Sequence, residues 1–189
     1  MRRAALCLSL LVAFLTVAHV GLAQTATPAP AMQHEAEGTR TDPIPRGQSA
    51  DISYWRIEIV GYRQNANEII AAIPLNDPPA EGRQFVMATF KLTNTGTGNG
   101  SFLDLDLGAI SALANASDAP YSPYSDSCGV VPDDPRTRLS EVTQIPPGGT
   151  VKVNICWSVK TGDANGLLIT VRALSAINDA PLFFDPRKA

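Results

Sequence analysis

Few residues in this chain of 189 have the types and the spacing that catalysis requires. The two histidines, His19 and His34, both precede the region whose pattern indicates a folded domain. A serine or cysteine nucleophile in that domain therefore lacks its usual base. Paired carboxylates such as Asp104 and Asp106 are the remaining candidates for acid–base chemistry on a glycoside. Acidic residues on strands and loops are usually solvated, so we expect a protein that is not an enzyme and uses no cofactor.

The same two aspartates are also candidates for binding a calcium ion. Asp104 and Asp106 are two residues apart on a predicted strand, so both side chains project to one face. Together with Asp126, Asp133 and Asp134 they offer the oxygen ligands that Ca²⁺ prefers. The sequence does not complete the loop of an EF-hand. The alternative is the polar outer face of a sandwich strand, and we expect no bound metal.

The cysteines indicate a disulfide rather than a metal site. Cys7 lies in an apolar run at the start of the chain, which leaves Cys128 and Cys156 in the remainder. Two cysteines in an exported protein most often form one disulfide. In the chain-entropy model, closing a loop of about thirty residues stabilises the fold by about 3.6 kcal/mol. The spacing matches none of the usual zinc patterns.

The loop at residues 118–135, DAPYSPYSDSCGVVPDDP, is the best candidate for an interaction surface. Tyr121 and Tyr124 are large amphipathic side chains on a segment made stiff by proline and tied down by Cys128. Tyrosines of this kind are frequent in binding surfaces because they offer contact area at low entropic cost. The alternative is that both tyrosines cover the end of the hydrophobic core.

The start of the chain is typical of an export signal. Arg2 and Arg3 precede an apolar run that ends in small residues at Ala23, which predicts a signal peptide over residues 1–23. The alternative is an uncleaved anchor, because about twenty apolar residues can span a bilayer. Cleavage makes the protein secreted or extracytoplasmic, whereas retention of the segment places it at the cell surface.

The charge balance argues against nucleic acid as a partner. Loss of the first 23 residues leaves 166 of the 189 and removes two of the 15 basic residues. Thirteen basic residues then stand against 18 acidic ones, so the net charge changes from −3 to −5. Nucleic acids and anionic membranes both favour clustered positive charge. We therefore expect a protein or a cell-envelope component as the partner, with membrane contact only if the signal segment is retained.

The rest of the chain divides into a linker and one all-β domain. Residues 24–49 are rich in Pro, Ala, Thr and charge and have few large apolar side chains, which predicts a flexible linker. From residue 50 to residue 189, short segments of alternating polarity predict strands. These segments lie at residues 52–60, 67–73, 85–92, 101–110, 150–159, 166–174 and 182–184.

The alternation also predicts which side chains form the core. In the segment at residues 85–92 we expect the even-numbered residues to face inward, and in the segment at residues 150–159 the odd-numbered ones. Trp55 and Trp157 both lie on faces predicted to be buried. Seven or eight short strands with turns between them indicate an immunoglobulin-like antiparallel β-sandwich.

The order FVMATFKLTNTG at residues 85–96, PPGGTVKVNICWSV at residues 146–159, and a final LFFD resembles a known family. These motifs are similar to those of extracytoplasmic immunoglobulin-like modules of bacterial secreted proteins and lipoproteins, a family of unknown function. The resemblance covers about residues 52–185 and implies a fold similar to that of a small secreted mycobacterial antigen. It implies no catalytic residue.

Exclusion and resemblance together predict a secreted, non-enzymatic binding or structural module that acts through the loop at residues 118–135. One alternative is an extracytoplasmic domain that binds calcium or a small ligand, with Asp104 and Asp106 as the candidate ligands. A second alternative is an accessory domain of a secreted enzyme.

Overall fold

The structure, a computed structural model, describes residues 37–101, 110–114, 119–134, 144–173 and 180–189. The predicted signal peptide, the first half of the predicted linker, and Asp104 and Asp106 lie outside these ranges. The described residues form β1 (Ile44–Pro45), β2 (Ser49–Ile52), β3 (Trp55–Arg63), α1 (Asn67–Ala71), β4 (Arg83–Asn94), β5 (Ser111–Ala114), β6 (Pro120–Tyr121), β7 (Thr150–Lys160), β8 (Leu167–Val171) and β9 (Leu182–Asp185).

Two sheets face each other. The first sheet has the order β2-β3-β4-β7, and all of its neighbouring strands are antiparallel. Its centre is β4, which pairs with β7 from Arg83↔Lys160 to Thr93↔Thr150. The second sheet has the order β1-β9-β8-β5-β6. In it β1 runs parallel to β9, and the other described pairs of neighbouring strands in this sheet are antiparallel.

The core lies between the two sheets, as the alternation predicts. Trp55 and Trp157 are completely buried there. From β4 the core takes the even-numbered side chains, and from β7 it takes the odd-numbered ones, with Val151 half-buried at the margin. The prediction of an all-β sandwich is therefore confirmed. Side chains of β5, β8 and β9 complete the core from the second sheet.

The predicted linker extends too far along the chain. Ile44 is only 3% exposed and pairs with Phe184 in the second sheet, while Ser49 already belongs to β2. One isoleucine in a segment of proline and charged residues does not predict a strand. In the fold, however, this segment pairs with β9, and the isoleucine side chain is buried in the core. The fold therefore includes residues 37–49.

The prediction of a strand at residues 67–73 is wrong, because Asn67–Ala71 form a short helix. Its Ile70 packs on Phe85 and Met87, which lie on the outer face of the first sheet. The Asn67 side chain accepts a hydrogen bond from the Phe85 N–H at 2.8 Å. The outer face of β4 is thus buried as well, so a second and smaller cluster lies there, completed by Ala66, Cys128, Val131 and Cys156.

The carboxylate of Asp185, at the end of β9, is 3% exposed and forms a two-pronged ion pair with Arg187. Its Oδ1 accepts from Arg187 Nε at 2.8 Å, and its Oδ2 accepts from Arg187 Nη2 at 2.9 Å. Burial acts to raise the pKa of Asp185, but the hydrogen bonds and charge of Arg187 outweigh it and hold the pKa below its ordinary value.

This ion pair predicts a loss of stability in acid. Because the pKa of Asp185 is lower in the folded state than in the unfolded one, its contribution is present above the unfolded pKa of about 3.9 and is lost as the pH falls through the folded value. We expect D185N to lower the free energy of unfolding by about 2 kcal/mol at neutral pH. Urea unfolding of both proteins at neutral pH and at an acidic pH below about 3.9 should show a smaller gap in acid. An equal gap at both pH values would contradict the assignment.

Candidate functional site: the groove beside the disulfide

The described part of the predicted interaction loop, residues 119–134, is here called the disulfide loop. Cys128 is bonded to Cys156 of β7, with an S–S distance of 2.03 Å, and the predicted disulfide is confirmed. On either side of this bond the loop is also hydrogen-bonded to β7. The Asp126 carbonyl accepts from the Ser158 N–H at 2.8 Å, and the Asp133 carbonyl accepts from the Asn154 N–H at 3.1 Å. The loop therefore lies along the edge of the first sheet.

A second loop, residues 72–82, faces the disulfide loop and is here called the proline loop. Its Asn76 side chain joins the two loops. Nδ2 donates to the Val130 carbonyl, and Oδ1 accepts from the Val130 N–H, both at 2.6 Å. Nδ2 also donates to the carbonyl of Ile70, at the end of α1, at 3.0 Å. This amide therefore fixes the spacing of the two loops.

The two loops enclose a groove of about 410 Å³. Its walls are residues 75–80 of the proline loop and residues 125–129 of the disulfide loop. Its floor is formed by Arg83, Phe85 and Ser158, from β4 and β7. This volume lies near the lower end of the range for ligand pockets, about 300–1,000 Å³, so the groove has room for a small ligand or for one or two side chains of a partner.

The polar groups of the floor are paired with one another. Arg83 Nη2 donates to Asp126 Oδ1 at 2.7 Å, and Arg83 Nε donates to Ser158 Oγ at 3.0 Å. The same guanidinium also donates to the Ser158 carbonyl and lies 5.8 Å from the centre of the Tyr121 ring. The positive charge of the floor is thus largely neutralised by Asp126, so the groove has little net charge to offer a partner.

Exposed apolar side chains lie on both loops: Leu75 lines the groove, and Tyr124 and Val130 adjoin in sequence the wall formed by residues 125–129. Leu75 is 84% exposed on the proline loop, and Tyr124 and Val130 are 58% and 39% exposed on the disulfide loop. Among the described residues these are the large hydrophobic side chains left exposed. Exposed apolar side chains of this kind can make hydrophobic contacts with another molecule.

The structure separates the two tyrosines that the sequence singles out. Tyr121 is half-buried against the core, and its hydroxyl donates to Asp163 Oδ2. Burial raises the pKa of this hydroxyl, and the hydrogen bond to Asp163 acts in the same direction. Tyr124 is exposed and directly precedes Ser125, a residue of the groove wall. Tyr121 therefore has the core-covering position, and Tyr124 has the position that contact with a partner requires.

This difference predicts opposite results for two serine substitutions. We expect Y121S to lower the free energy of unfolding by about 2 kcal/mol, because it loses ring packing and the bond to Asp163. Y124S should change it by less than about 0.5 kcal/mol. Y121F, which keeps the ring, should cost about 1 kcal/mol. Urea unfolding measures all three, and equal losses for Y121S and Y124S would contradict the separation.

The remaining aspartate candidates do not assemble into a cation site in the described ranges. Asp126 is paired with Arg83, and Asp134 is buried. Asp133 has a left-handed backbone and directs its carbonyl to β7. No group of three or more His, Cys, Asp or Glu residues among the described ones is placed to hold a metal ion. The alternative of calcium binding by Asp104 and Asp106 stays untested, because both lie outside the described residues.

Three residues that contribute most to the groove were not predicted from the sequence. Leu75 and Asn76 belong to a segment, LNDPPAEG, that reads only as a loop, and Arg83 reads as one of several dispersed basic residues. The sequence carries no signal that sets them apart, because single apolar residues in surface loops are common.

Comparison with known proteins adds a likeness in structure only. No family model matches the chain, and no curated protein is significantly similar to it. It is similar to a conserved hypothetical protein from Bacillus anthracis, with 9% identity and a TM-score of 0.46 over 75% of this chain and 95% of that one. It is also similar to an uncharacterized β-sandwich protein from Clostridium difficile 630, with 13% identity and a TM-score of 0.45 over 76% and 93%.

A third similar structure is the yjhA protein from Bacillus subtilis, with 8% identity and a TM-score of 0.47 over 76% of this chain and 99% of that one. At these identities and TM-scores the likeness supports no inference about activity or partner. Across the described ranges, no helix has both the length and the apolar composition needed to cross a bilayer.

Proposed function

We propose that this protein is an exported, non-enzymatic binding module that recognises a protein or a cell-envelope component through the groove between the proline loop and the disulfide loop. The observation that carries the proposal is the distribution of exposed apolar side chains. Leu75, Tyr124 and Val130 are the large hydrophobic residues exposed in the described ranges, and each belongs to one of these two loops. Apolar side chains around a concave surface are a common mark of interaction sites.

The loops are also held in place before any partner arrives. The disulfide and the Asn76 amide hold the disulfide loop from two sides, and the Arg83–Asp126 pair ties its base to β4. A surface that is already ordered loses little conformational entropy on binding. This favours a recognition surface over a mobile linker or spacer.

Export is supported by the chemistry of the cysteines and by the start of the sequence. A buried disulfide that joins a loop to a core strand suits an oxidising compartment. Residues 1–23 have the basic start, the apolar run and the small-residue end of a signal peptide. The similarity to extracytoplasmic modules of bacterial secreted proteins belongs to the same proposal.

Site-specific photo-cross-linking tests the groove. A photoreactive amino acid at position 75 should capture a defined partner from the host's extracellular fraction, and the same amino acid at the exposed Arg172 should not. Excess unlabelled wild-type protein should suppress the capture, whereas L75S/Y124S should fail to suppress it. Identical adducts at positions 75 and 172, or equal competition by the wild type and L75S/Y124S, would reject the groove as the recognition surface.

A further inference from the structure

Another pocket lies at the opposite end of β4 from the groove. β4 begins at Arg83, on the floor of the groove, and ends at Asn94. The turn that follows Asn94 and the side chain of Tyr54 form a pocket of about 300 Å³, here called the glycine pocket. Its lining residues are Tyr54, Gly96, Thr97, Gly98 and Asn99. None of these five residues is charged, so the pocket suits an uncharged ligand.

Tyr54 supplies the aromatic wall of the glycine pocket. It lies in the two-residue turn between β2 and β3, where Ile52 pairs with Trp55. The first residue of this turn, Ser53, has a φ of 55°, a left-handed conformation for which glycine is usual at this position. The Tyr54 carbonyl accepts from the Thr95 N–H at 2.9 Å, which ties this turn to the one after β4. The Tyr54 side chain is half-buried and packs on the core.

The glycines of the turn after β4 differ in the space around them. A Cβ at Gly96 would lie 3.1 Å from Tyr54 Cβ, and one at Gly100 would lie 2.7 Å from Trp55 Cζ2, so packing leaves little room for a side chain at either. A Cβ at Gly98 would have no other atom within 4 Å, and the Gly98 backbone is not left-handed. The fold therefore does not require glycine at position 98, where the lack of a side chain keeps the pocket accessible.

Polar groups that a ligand can use lie beside this space. The Thr97 hydroxyl makes no hydrogen bond to another described residue, so it can donate to a ligand and accept from it. Asn99 Nδ2 donates to Gln144 Oε1 at 2.8 Å, which leaves Asn99 Oδ1 as an acceptor. The buried Asn94 amide bonds to both Gly96 and Gly98 and so holds the turn in place. An ordered turn loses little conformational entropy when a ligand binds.

We propose that the glycine pocket is a binding site for an uncharged pyranose sugar, either free or as one residue of a glycan. A pyranose ring has an apolar face of C–H groups and a rim of hydroxyls. The C–H face packs on the ring of Tyr54, and the hydroxyls bond to Thr97 and Asn99. A volume of about 300 Å³ is at the lower end of the range for ligand pockets and suits one sugar ring.

Other occupants match the pocket less well. A charged ligand meets no opposite charge among the lining residues. An apolar side chain of a protein uses the Tyr54 ring but leaves the polar groups of Thr97 and Asn99 without a partner. This inference does not depend on the groove, because the two surfaces share no lining residue.

A titration followed by nuclear magnetic resonance tests the site with the chain as its host produces it. The probes are the methyl glycosides of glucose, galactose, mannose and N-acetylglucosamine. At least one of them should shift the amide signals of Gly96, Thr97 and Gly98 in a saturable way and leave that of Gly162 unchanged. If none does so at up to about 20 mM, a concentration well above the millimolar Kd of a weak ligand, the proposal is overturned.

Two leucine substitutions give a matched comparison. G98L places a side chain at the pocket and should weaken binding of the active glycoside about tenfold or more. G162L is the control, because a Cβ at Gly162 also has no other atom within 4 Å and Gly162 does not line the pocket. Equal binding by G98L and the wild type, or equal losses in G98L and G162L, would overturn the proposal.

The aromatic wall and the source of the sugar are tested with the same probe. Y54F should bind the glycoside as the wild type does, whereas Y54A should not bind it, and similar affinities of Y54A and Y54F would overturn the proposal. L75S/Y124S should bind it normally, which separates this site from the groove. A linear oligomer of the same sugar that binds about tenfold tighter than the glycoside supports a glycan as the ligand, and equal affinity supports a single sugar.

Discussion

Replacement of Asn94 by aspartate is expected to lower the free energy of unfolding by about 4 kcal/mol at pH 7, and replacement by alanine by about 3 kcal/mol. Asn94 ends β4 and is completely buried. Its Nδ2 donates to the carbonyls of Gly98 and Ile145, both at 2.8 Å, and its Oδ1 accepts from the Gly96 N–H at 2.9 Å. The side-chain amide of Asn94 thus bonds to backbone groups of two neighbouring turns.

N94D is expected to lose more stability than N94A because the Asn94 side chain faces two backbone carbonyls. Alanine removes the side-chain partners of the Gly98 carbonyl and the Gly96 N–H and one of the two donors to the Ile145 carbonyl, which keeps its bond from the Gly100 N–H. Aspartate also places a carboxylate oxygen against both carbonyls. Burial should raise the pKa of the new carboxyl, and its protonated form can donate to one carbonyl, so N94D should regain stability as the pH falls. Urea unfolding at neutral and acidic pH measures both effects.

Asn99 provides a matched control for Asn94. It lies in the adjoining turn and is exposed, and its Nδ2 donates to Gln144 Oε1 at 2.8 Å. We expect N99A to change the free energy of unfolding by less than about 0.5 kcal/mol. If N94D lies within about 1 kcal/mol of the wild type, the Asn94 side chain does not hold the two turns.

Loss of the disulfide is expected to have an effect of similar size. The Cys128–Cys156 bond closes a loop with a sequence separation of 28, and we expect C128A/C156A to lower the free energy of unfolding by about 3.6 kcal/mol. Both cysteines are buried in the outer cluster with Phe85 and Met87, so alanine is the substitution that adds no buried polar group. The free energy of unfolding of single domains is about 5–15 kcal/mol, so the variant should stay folded.

Urea unfolding followed by tryptophan fluorescence measures this loss, because Trp55 and Trp157 are both in the core. Reduction of the wild type should reproduce the value found for C128A/C156A, and adding reductant to the variant should change nothing. A loss below about 1 kcal/mol would mean that the loop is held almost as closely in the unfolded ensemble or by its other contacts.

The positions that the sequence predicts well are those governed by alternation. In β4 and β7 the side chains that face the other sheet recur every second position, because a strand presents alternate side chains to opposite faces. The pairing of Cys128 with Cys156 also followed from counting, since the rest of the chain beyond Cys7 offers only these two. The alternation of side chains along a strand and the number of cysteines can both be read from the sequence without knowledge of the fold.

The errors fall where a distant partner decides the structure. Residues 67–73 contain isoleucines that suit a strand, but Ile70 is buried only because a helix lets it reach Phe85 on the outer face of β4. Ile44 lies in a segment with the composition of a linker, and it is ordered because β9 offers a parallel edge. Neither partner lies within a dozen residues, so no local pattern reports it.

The sequence by itself determined the sandwich, the inward faces of β4 and β7, and the disulfide, and it singled out the disulfide loop as a candidate interaction surface. Only the tertiary structure decided that the proline loop forms the facing wall of a groove, that Arg83 pairs with Asp126 there, and that Tyr124 rather than Tyr121 is exposed. The physical reason is that strands follow from periodic burial of neighbouring residues. A groove depends on side chains that meet across 40 or more positions, such as Arg83 with Asp126 and Asn76 with Val130.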